Sequence, residues 1–141
     1  MQKSILDTGP AVALFDCNDH HYRDIYDFMQ NYNGKLYTTL PVVTEVLFLL
    51  DFNIETQLDF IRWLESGAVA IVDIKTNDLS YTRKMMAKYQ NVPMDFADAT
   101  LMLISEKLNL QDIISLDKDF FIYRKADGIS YLNNLLAELL H

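Results

Sequence analysis

Cysteine occurs once in this chain of 141 residues, at position 17. A lone thiol excludes an internal disulfide and a zinc cage built from cysteines, and it fits a reducing compartment, so a cytoplasmic location is expected. Glycine and proline are also scarce, with four and three residues, and no stretch rich in Gly, Ser or Pro, no repeat and no low-complexity run interrupts the chain. Neither a linker nor a disordered tail is expected. Long apolar runs are missing too. Leu40 to Leu50, the most apolar segment, is about half of the roughly 20 residues a membrane span needs, and it carries Glu45 in its middle. It is expected to be a buried helix, with no membrane contact. No apolar segment of signal-peptide length precedes Asp7, so export by that route is not expected. Basic residues are outnumbered, with 12 Lys and Arg against 20 Asp and Glu, for a formal net charge of −8. That balance speaks against a generic nucleic-acid binder, whose affinity comes largely from cations that neutralise phosphates. The objection weakens if several acids hold metal, since two divalent ions would bring −8 to −4.

Half of the residues are hydrophobic. A chain of this length buries roughly two-thirds of its unfolded surface as one unit, and residues 1–141 are expected to form a single domain. Lys3 to Leu6 reads as a strand that stops at Asp7-Thr8-Gly9-Pro10, where the chain turns into a helix. A helix over Tyr22 to Gln30 follows, then a strand over Lys35 to Thr39. Helical spacing returns from Pro41 to Leu50 and from Glu55 to Glu65, ended by Gly67. Ala68 to Asp73 is a continuous apolar run that suits a strand buried on both faces. Helices over Asp78 to Tyr89 and Asp95 to Leu108, separated by a turn at Asn91-Val92-Pro93, lead to a strand over Asp112 to Ser115. Phe121 to Arg124 is expected as a last edge strand. Asp127-Gly128 then turns the chain into an amphipathic C-terminal helix through Leu132, Leu135, Leu136 and Leu139. Strands alternating with crossover helices predict an α/β fold with a mostly parallel sheet and helices on both faces.

In such a sheet ligands bind beyond the carboxyl ends of the strands, where strand order reverses. Asp7 stands at one predicted strand end, and Asp117 and Asp119 follow another. Glu45 and Asp98 fall instead inside apolar helical segments. No Lys or Arg lies within one turn of Glu45, so a buried carboxylate there needs a partner from elsewhere. A hard divalent cation is one such partner, and a helix edge open to water is the other reading. Asp95 stands before an apolar helix with Asp98 three residues on, an arrangement that favours an N-cap over a ligand. Asp119 assists a site or sits at a helix start. Ser115 and Thr44 are candidate donors beside the acids, or else ordinary exposed residues. His20 and His21 read as an exposed helix start rather than a zinc site. Arg83, Lys84 and Lys88 share a helix face that reads as solvated rather than as an RNA contact.

Four segments together resemble the PIN-domain nucleases. They are Ile5-Leu6-Asp7-Thr8-Gly9-Pro10-Ala11-Val12-Ala13-Leu14-Phe15, Thr44-Glu45-Val46, Pro93-Met94-Asp95-Phe96-Ala97-Asp98-Ala99-Thr100-Leu101 and Ile114-Ser115-Leu116-Asp117-Lys118-Asp119-Phe120. Their order and approximate spacing match across nearly the whole chain, and the closest resemblance is to stand-alone toxins of the VapC type. The resemblance implies a three-layer α/β/α fold with a four- or five-stranded sheet in the order 3-2-1-4-5. It also implies a ribonuclease that uses one or two Mg²⁺ or Mn²⁺ ions, is often a homodimer and is often held inactive by an antitoxin. Carried over by motif, Asp7, Glu45, Asp98 and Asp117 form the catalytic and metal-binding quartet, with Asp119 and Asp95 as further candidate ligands.

Other chemistries fit less well. A phosphatase of the haloacid dehalogenase type needs a second Asp at position 9, which is Gly9, and a response-regulator receiver has paired acids at the first strand end, where Leu6 precedes Asp7. The reading from a different class is a catalytically inactive PIN-like interaction module, which the −8 charge favours and the complete quartet disfavours.

Overall fold

In the computed structural model, residues 1–140 are described; the last residue of the expected domain, His141, lies outside them. Strand β1 (Gln2–Leu6) forms the centre of the sheet because Ser4, Ile5 and Leu6 are all buried, as a strand covered on both faces requires. It pairs in parallel with β2 (Gly34–Thr38) on one side and with β4 (Asp112–Ile114) on the other. Strand β3 (Val69–Ile71) lies outside β2, and β5 (Asn133–Asn134) lies outside β4. The sheet is five-stranded and parallel, in the order 3-2-1-4-5.

Helices α1 (Thr8–Phe15) and α2 (Tyr22–Asn31) connect β1 to β2, and α3 (Leu40–Leu49) and α4 (Ile54–Glu65) connect β2 to β3. Helices α5 (Leu79–Lys88) and α6 (Phe96–Lys107) carry the chain back to β4, on the other side of β1. Three of the helix starts have a clear local cause. Pro41 falls in the first turn of α3, Asn53 accepts hydrogen bonds from the amides of Glu55 and Thr56 at α4, and Asp95 accepts one from Asp98 at α6. Gly67, at φ +86°, follows α4 in the left-handed region that ends helices. Helix α1 packs on α2, α3 and α4, while α5 pairs with α6. Where α3 meets α6, the buried hydroxyls of Thr39 and Thr100 lie 2.8 Å apart in a hydrogen bond. No helix among the described residues is long and apolar enough to cross a membrane.

Four expectations change. Ala68 to Asp73 is not a strand buried on both faces: only Val69–Ile71 pairs, with β2 alone, and as an edge strand it leaves Ile71 exposed. Leu40 to Leu50 is not a buried helix either. Val42, Val43, Val46 and Leu50 face the core, but Leu40, Phe48 and Leu49 point out, with Phe48 63% exposed. Phe121 to Arg124 is not the edge strand. Asp117 caps a 3-10 turn over Lys118–Phe121, which turns Phe120 and then Tyr123 into the core. The edge strand is instead Asn133–Asn134, inside the segment expected as a C-terminal helix, and only Ala137–Leu140 coils, as a 3-10 turn. Asn134 pairs with β4 and is buried together with Leu132 and Leu136 on either side, so these leucines flank a short strand rather than line one helix face.

The sheet also sets a steric limit at its far end. Gly34 lies in register with Gln2, and a Cβ there would stand 2.6 Å from the Gln2 carbonyl oxygen, a backbone atom that cannot swing away. Gly34→Ala is expected to lower stability by about 1–3 kcal/mol, the usual cost of overpacking. A lower urea midpoint with an unchanged slope would verify this; an unchanged midpoint would show that β2 shifts freely in its register.

Candidate active site

Strand order reverses between β1 and β4, and the chain leaves both strands at the same edge. Asp7 follows β1 directly. Its amide donates to the Ile114 carbonyl (3.1 Å), which extends the β1–β4 ladder by one bond and leaves the Asp7 side chain buried at the strand end. Ser115, fully buried, donates its hydroxyl to Asp7 Oδ2 (2.7 Å), and the same Oγ accepts the Asp117 amide (2.9 Å). Ser115 is itself clasped by Asn134, whose Oδ1 accepts the Ser115 amide (3.2 Å) and whose Nδ2 donates to the Ser115 carbonyl (3.0 Å). The two-residue strand β5 thereby fixes the loop that carries Asp117. Asp117 Oδ1 accepts the Asp119 amide (2.8 Å), which starts the 3-10 turn.

The other two acids come from the helices that meet across the sheet. Glu45 lies in α3, where Thr8 donates to its Oε1 (2.7 Å). Asp98 lies in the first turn of α6, where Tyr123 donates to its Oδ2 (3.0 Å). Asp7, Glu45, Asp98 and Asp117 line one open cleft of about 360 Å³, together with Asp95, Thr8, Gly9, Leu116 and Lys118. The cleft thus gathers the four carboxylates from four elements. Asp95 caps α6, its Oδ1 accepting the Asp98 amide (2.8 Å), and the residue also lines the cleft. Asp119 is not among the lining residues.

Crowding and burial leave their mark on ionisation. Burial, with the charges of Asp117 and Glu45 adding, pushes the Asp7 carboxyl up to about 6, although the Ser115 hydrogen bond opposes the rise. Asp98 is pushed up to about 8, first by burial and then by the charges of Asp7 and Asp95. Glu45 is raised by burial and by the neighbouring Asp95 carboxylate, and Asp119 by burial and Asp117. Burial, then the Asp98 charge, raises the Tyr123 phenol, so it remains a donor. Raised carboxyls in a like-charge cluster are what a cation would reverse.

The donor set bears on which cation. Among the described residues the lining offers carboxylate oxygens and neither histidine nor cysteine, a donor set that suits a hard divalent ion such as Mg²⁺ or Mn²⁺ rather than zinc. No three His, Cys, Asp or Glu side chains among the described residues are already grouped closely enough to hold an ion. A larger hollow of about 690 Å³ lies elsewhere, between Gln2, Phe28, Tyr32, Leu135 and Leu139. Its acids, Asp24, Asp27 and Glu138, are all exposed, so burial creates no demand for a counter-ion there.

Several residues weighed in the sequence lie outside the cleft. Thr44 donates to the Leu40 carbonyl of its own helix and orients no acid. His20 and His21 meet edge to face at the start of α2, and Arg83, Lys84 and Lys88 are exposed on α5. Two hydroxyl donors were missed. Thr8 follows Asp7 directly, a signal within the first motif, but nothing in the sequence ties it to Glu45, 37 positions away. Tyr123 stands in a segment that reads as a strand, with no sequence signal for its contact.

The family profile of the PIN domain matches residues 4–126. Ribonuclease VapC26 of Mycobacterium tuberculosis (strain ATCC 25618 / H37Rv) is 22% identical over 119 residues, covering 83% of this chain and 88% of that protein. Among solved structures, the sarcin-ricin loop cleaving toxin VapC20 of Mycobacterium tuberculosis superposes with a TM-score of 0.77 at 18% identity, over 84% of this chain and 92% of that one. A toxin–antitoxin complex from Klebsiella pneumoniae gives 0.61 at 16% identity, over 83% and 89%. VapBC2 of Rickettsia felis, bound to a promoter DNA fragment, gives 0.61 at 12% identity, over 86% and 92%. With the profile spanning most of its length, and with the strand order and acidic cleft described above, the chain belongs to the PIN-domain family.

Proposed function

We propose that this chain is a single-domain, Mg²⁺- or Mn²⁺-dependent endoribonuclease, the cytoplasmic toxin of a type II toxin–antitoxin pair. One observation carries the reading: Asp7, Glu45, Asp98 and Asp117 arrive from four separate elements at one cleft, and three of them accept a hydrogen bond from a hydroxyl. Carboxylates gathered for structure alone would be expected to meet Lys or Arg, whereas among the described residues Lys118 is the one basic residue on the lining. In this reading the quartet holds one or two ions. Asp95 is mainly the cap of α6, and Asp119 supports the turn after Asp117. When bound, a divalent cation supplies Lewis acidity to the attacking water and to the phosphoryl oxygens. The side chains hold and orient it, and the cation's charge offsets the −8 balance that would otherwise repel RNA.

The solved toxin–antitoxin relatives support an antitoxin-type protein as partner. A second surface supports a homodimer. Leu40, Phe48, Leu49, Phe52 and Ile54 are all more than half exposed around α3 and the start of α4, and apolar side chains so grouped mark an interface. An inactive interaction module remains the reading that the −8 charge favours, and metal binding separates the two.

Millimolar Mn²⁺ is expected to raise the melting temperature, since a ligand at 100 times its Kd adds about 2.7 kcal/mol. Asp98→Asn should abolish both that shift and Mn²⁺-dependent cleavage of single-stranded RNA, with an EDTA control, in protein free of any antitoxin. Without metal the same variant should be more stable than the parent. The folded-state carboxyl is raised, so ionising it opposes folding, and the gain should grow as pH rises from 3.8 towards about 8. No Mn²⁺ shift in the parent protein would favour the interaction module.

Cap and ligand separate at Asp95. Asp95→Ala should cost about 0.5–2 kcal/mol of stability, while Asp95→Asn, which caps about as well, should leave both stability and most activity in place. Loss of cleavage in a fully stable Asp95→Asn would make Asp95 a ligand. For the dimer, Phe48→Asp should convert the protein in light scattering to a 16.4 kDa monomer; a parent protein already monomeric at micromolar concentration would remove this surface from the reading.

A further inference from the structure

Tyr123 is fully buried, and its ring stands edge-on to Phe120 and Tyr89, with centroids 5.1 and 5.2 Å away. Two aromatic neighbours at these spacings fix the ring plane, and with it the direction of the phenol. The hydroxyl leaves that apolar surround at one point, where it donates to Asp98 Oδ2 at 3.0 Å. Among the described residues this is the one hydrogen bond that the Asp98 carboxylate accepts. A phenol ionises only near pH 10 in water and has a single hydrogen to give, so it occupies one carboxylate oxygen and leaves the other free.

The same pattern holds at two neighbours. Ser115 donates to one oxygen of Asp7 and Thr8 to one oxygen of Glu45. Both donors stand beside an acid in sequence, Thr8 next to Asp7 and Ser115 two residues before Asp117. Tyr123 is different, reaching Asp98 from 25 residues away; it follows the 3-10 turn that Asp117 caps and is tied to that turn by its amide, which donates to the Asp119 carbonyl at 3.2 Å. One carboxylate of the cleft therefore organises the segment that orients another.

We propose that Tyr123 is a positioning residue: its hydroxyl clamps Asp98 Oδ2 and so keeps the second oxygen of Asp98 available to a divalent cation in the cleft. The inference rests on the metal-site reading above. The competing account is that a buried hydroxyl simply takes the nearest acceptor, in which case its removal changes stability and nothing else. Partners that orient a metal-binding side chain generally matter more than that, since removing one costs about 10–100-fold in metal affinity or activity.

Tyr123→Phe keeps the ring packing and deletes the one oxygen. Calorimetric titration with Mn²⁺ is expected to show binding weakened about tenfold or more, with the Mn²⁺ concentration for half-maximal RNA cleavage raised in parallel. The rate at saturating Mn²⁺ should be largely kept, because the ligand itself remains. Asp98→Asn, measured alongside, should lose binding altogether. A Tyr123→Phe isotherm that superposes on the parent's, while Asp98→Asn loses binding, overturns the positioning role and leaves the metal site standing. Undiminished Mn²⁺ binding by Asp98→Asn overturns both. A second measurement is independent of whether Tyr123→Phe folds. With 3-fluorotyrosine placed at position 123 alone, the ¹⁹F resonance should move along the binding isotherm of diamagnetic Mg²⁺, as the hydrogen bond to Asp98 weakens on ligation. A resonance that stays fixed through saturation overturns the proposal.

Discussion

Asp7 leaves water on folding while three other carboxylates stay near it, and desolvating an ionised carboxylate costs several kcal/mol unless hydrogen bonds or opposite charge compensate. Much of the fold around the cleft follows from that constraint. The Ser115 hydroxyl answers it directly, and Ser115 is in place because Asn134 holds its amide and its carbonyl. Asn134 in turn is in place because β5 pairs with β4. A strand of two residues at the sheet edge thus supports an acid at the sheet centre. Hydrogen bonding alone does not close the balance, since the Asp7 carboxyl still lies near 6. What remains is an electrostatic demand that a cation would meet and that stability alone does not require.

Parallel topology turns that local demand into a site. The chain winds outward from β1 to β3 and returns past β1 to β4, which opens the crevice where Asp7 and Asp117 stand. The two helices that carry Glu45 and Asp98 come from opposite arms of that winding, and the buried Thr39–Thr100 hydrogen bond joins them. Each acid is then placed by a rigid element and trimmed by a neighbouring donor. Like charges held at short range on such a frame oppose folding, the usual tension between a site gathered for chemistry and stability.

Much of this was legible in the sequence because the deciding signals are local. Alternating strands and helices gave the parallel α/β class, the family resemblance implied the sheet order, and the Asp95–Asp98 spacing before an apolar helix gave the cap. Signals that act across the chain were not legible. Thr8 reaches Glu45 over 37 positions, and Tyr123 reaches Asp98 over 25. Periodicity also misled where two patterns coincide. Leu132, Leu135, Leu136 and Leu139 fit a helical face, but Asn133 and Asn134 gain more by completing the β4 edge. Apolarity without direction misled at Leu40 to Leu50, where composition does not tell that Phe48 and Leu49 point away from the core.

The sheet's two margins, β3 with three residues and β5 with two, have a bearing on how this protein meets others. A long open margin would present a ladder of unpaired amides and carbonyls to any extended peptide, and would invite pairing between copies. Here so few backbone groups are on offer that strand addition, one of the common routes by which folded proteins capture peptides, has almost nothing to grip. Association must then proceed through side chains on the helical surfaces, where shape and hydrophobicity discriminate between partners far more sharply than a generic backbone ladder does. Under the toxin reading proposed above, that restriction is useful, because recognition by side chains can be specific to one inhibitor and evolve with it.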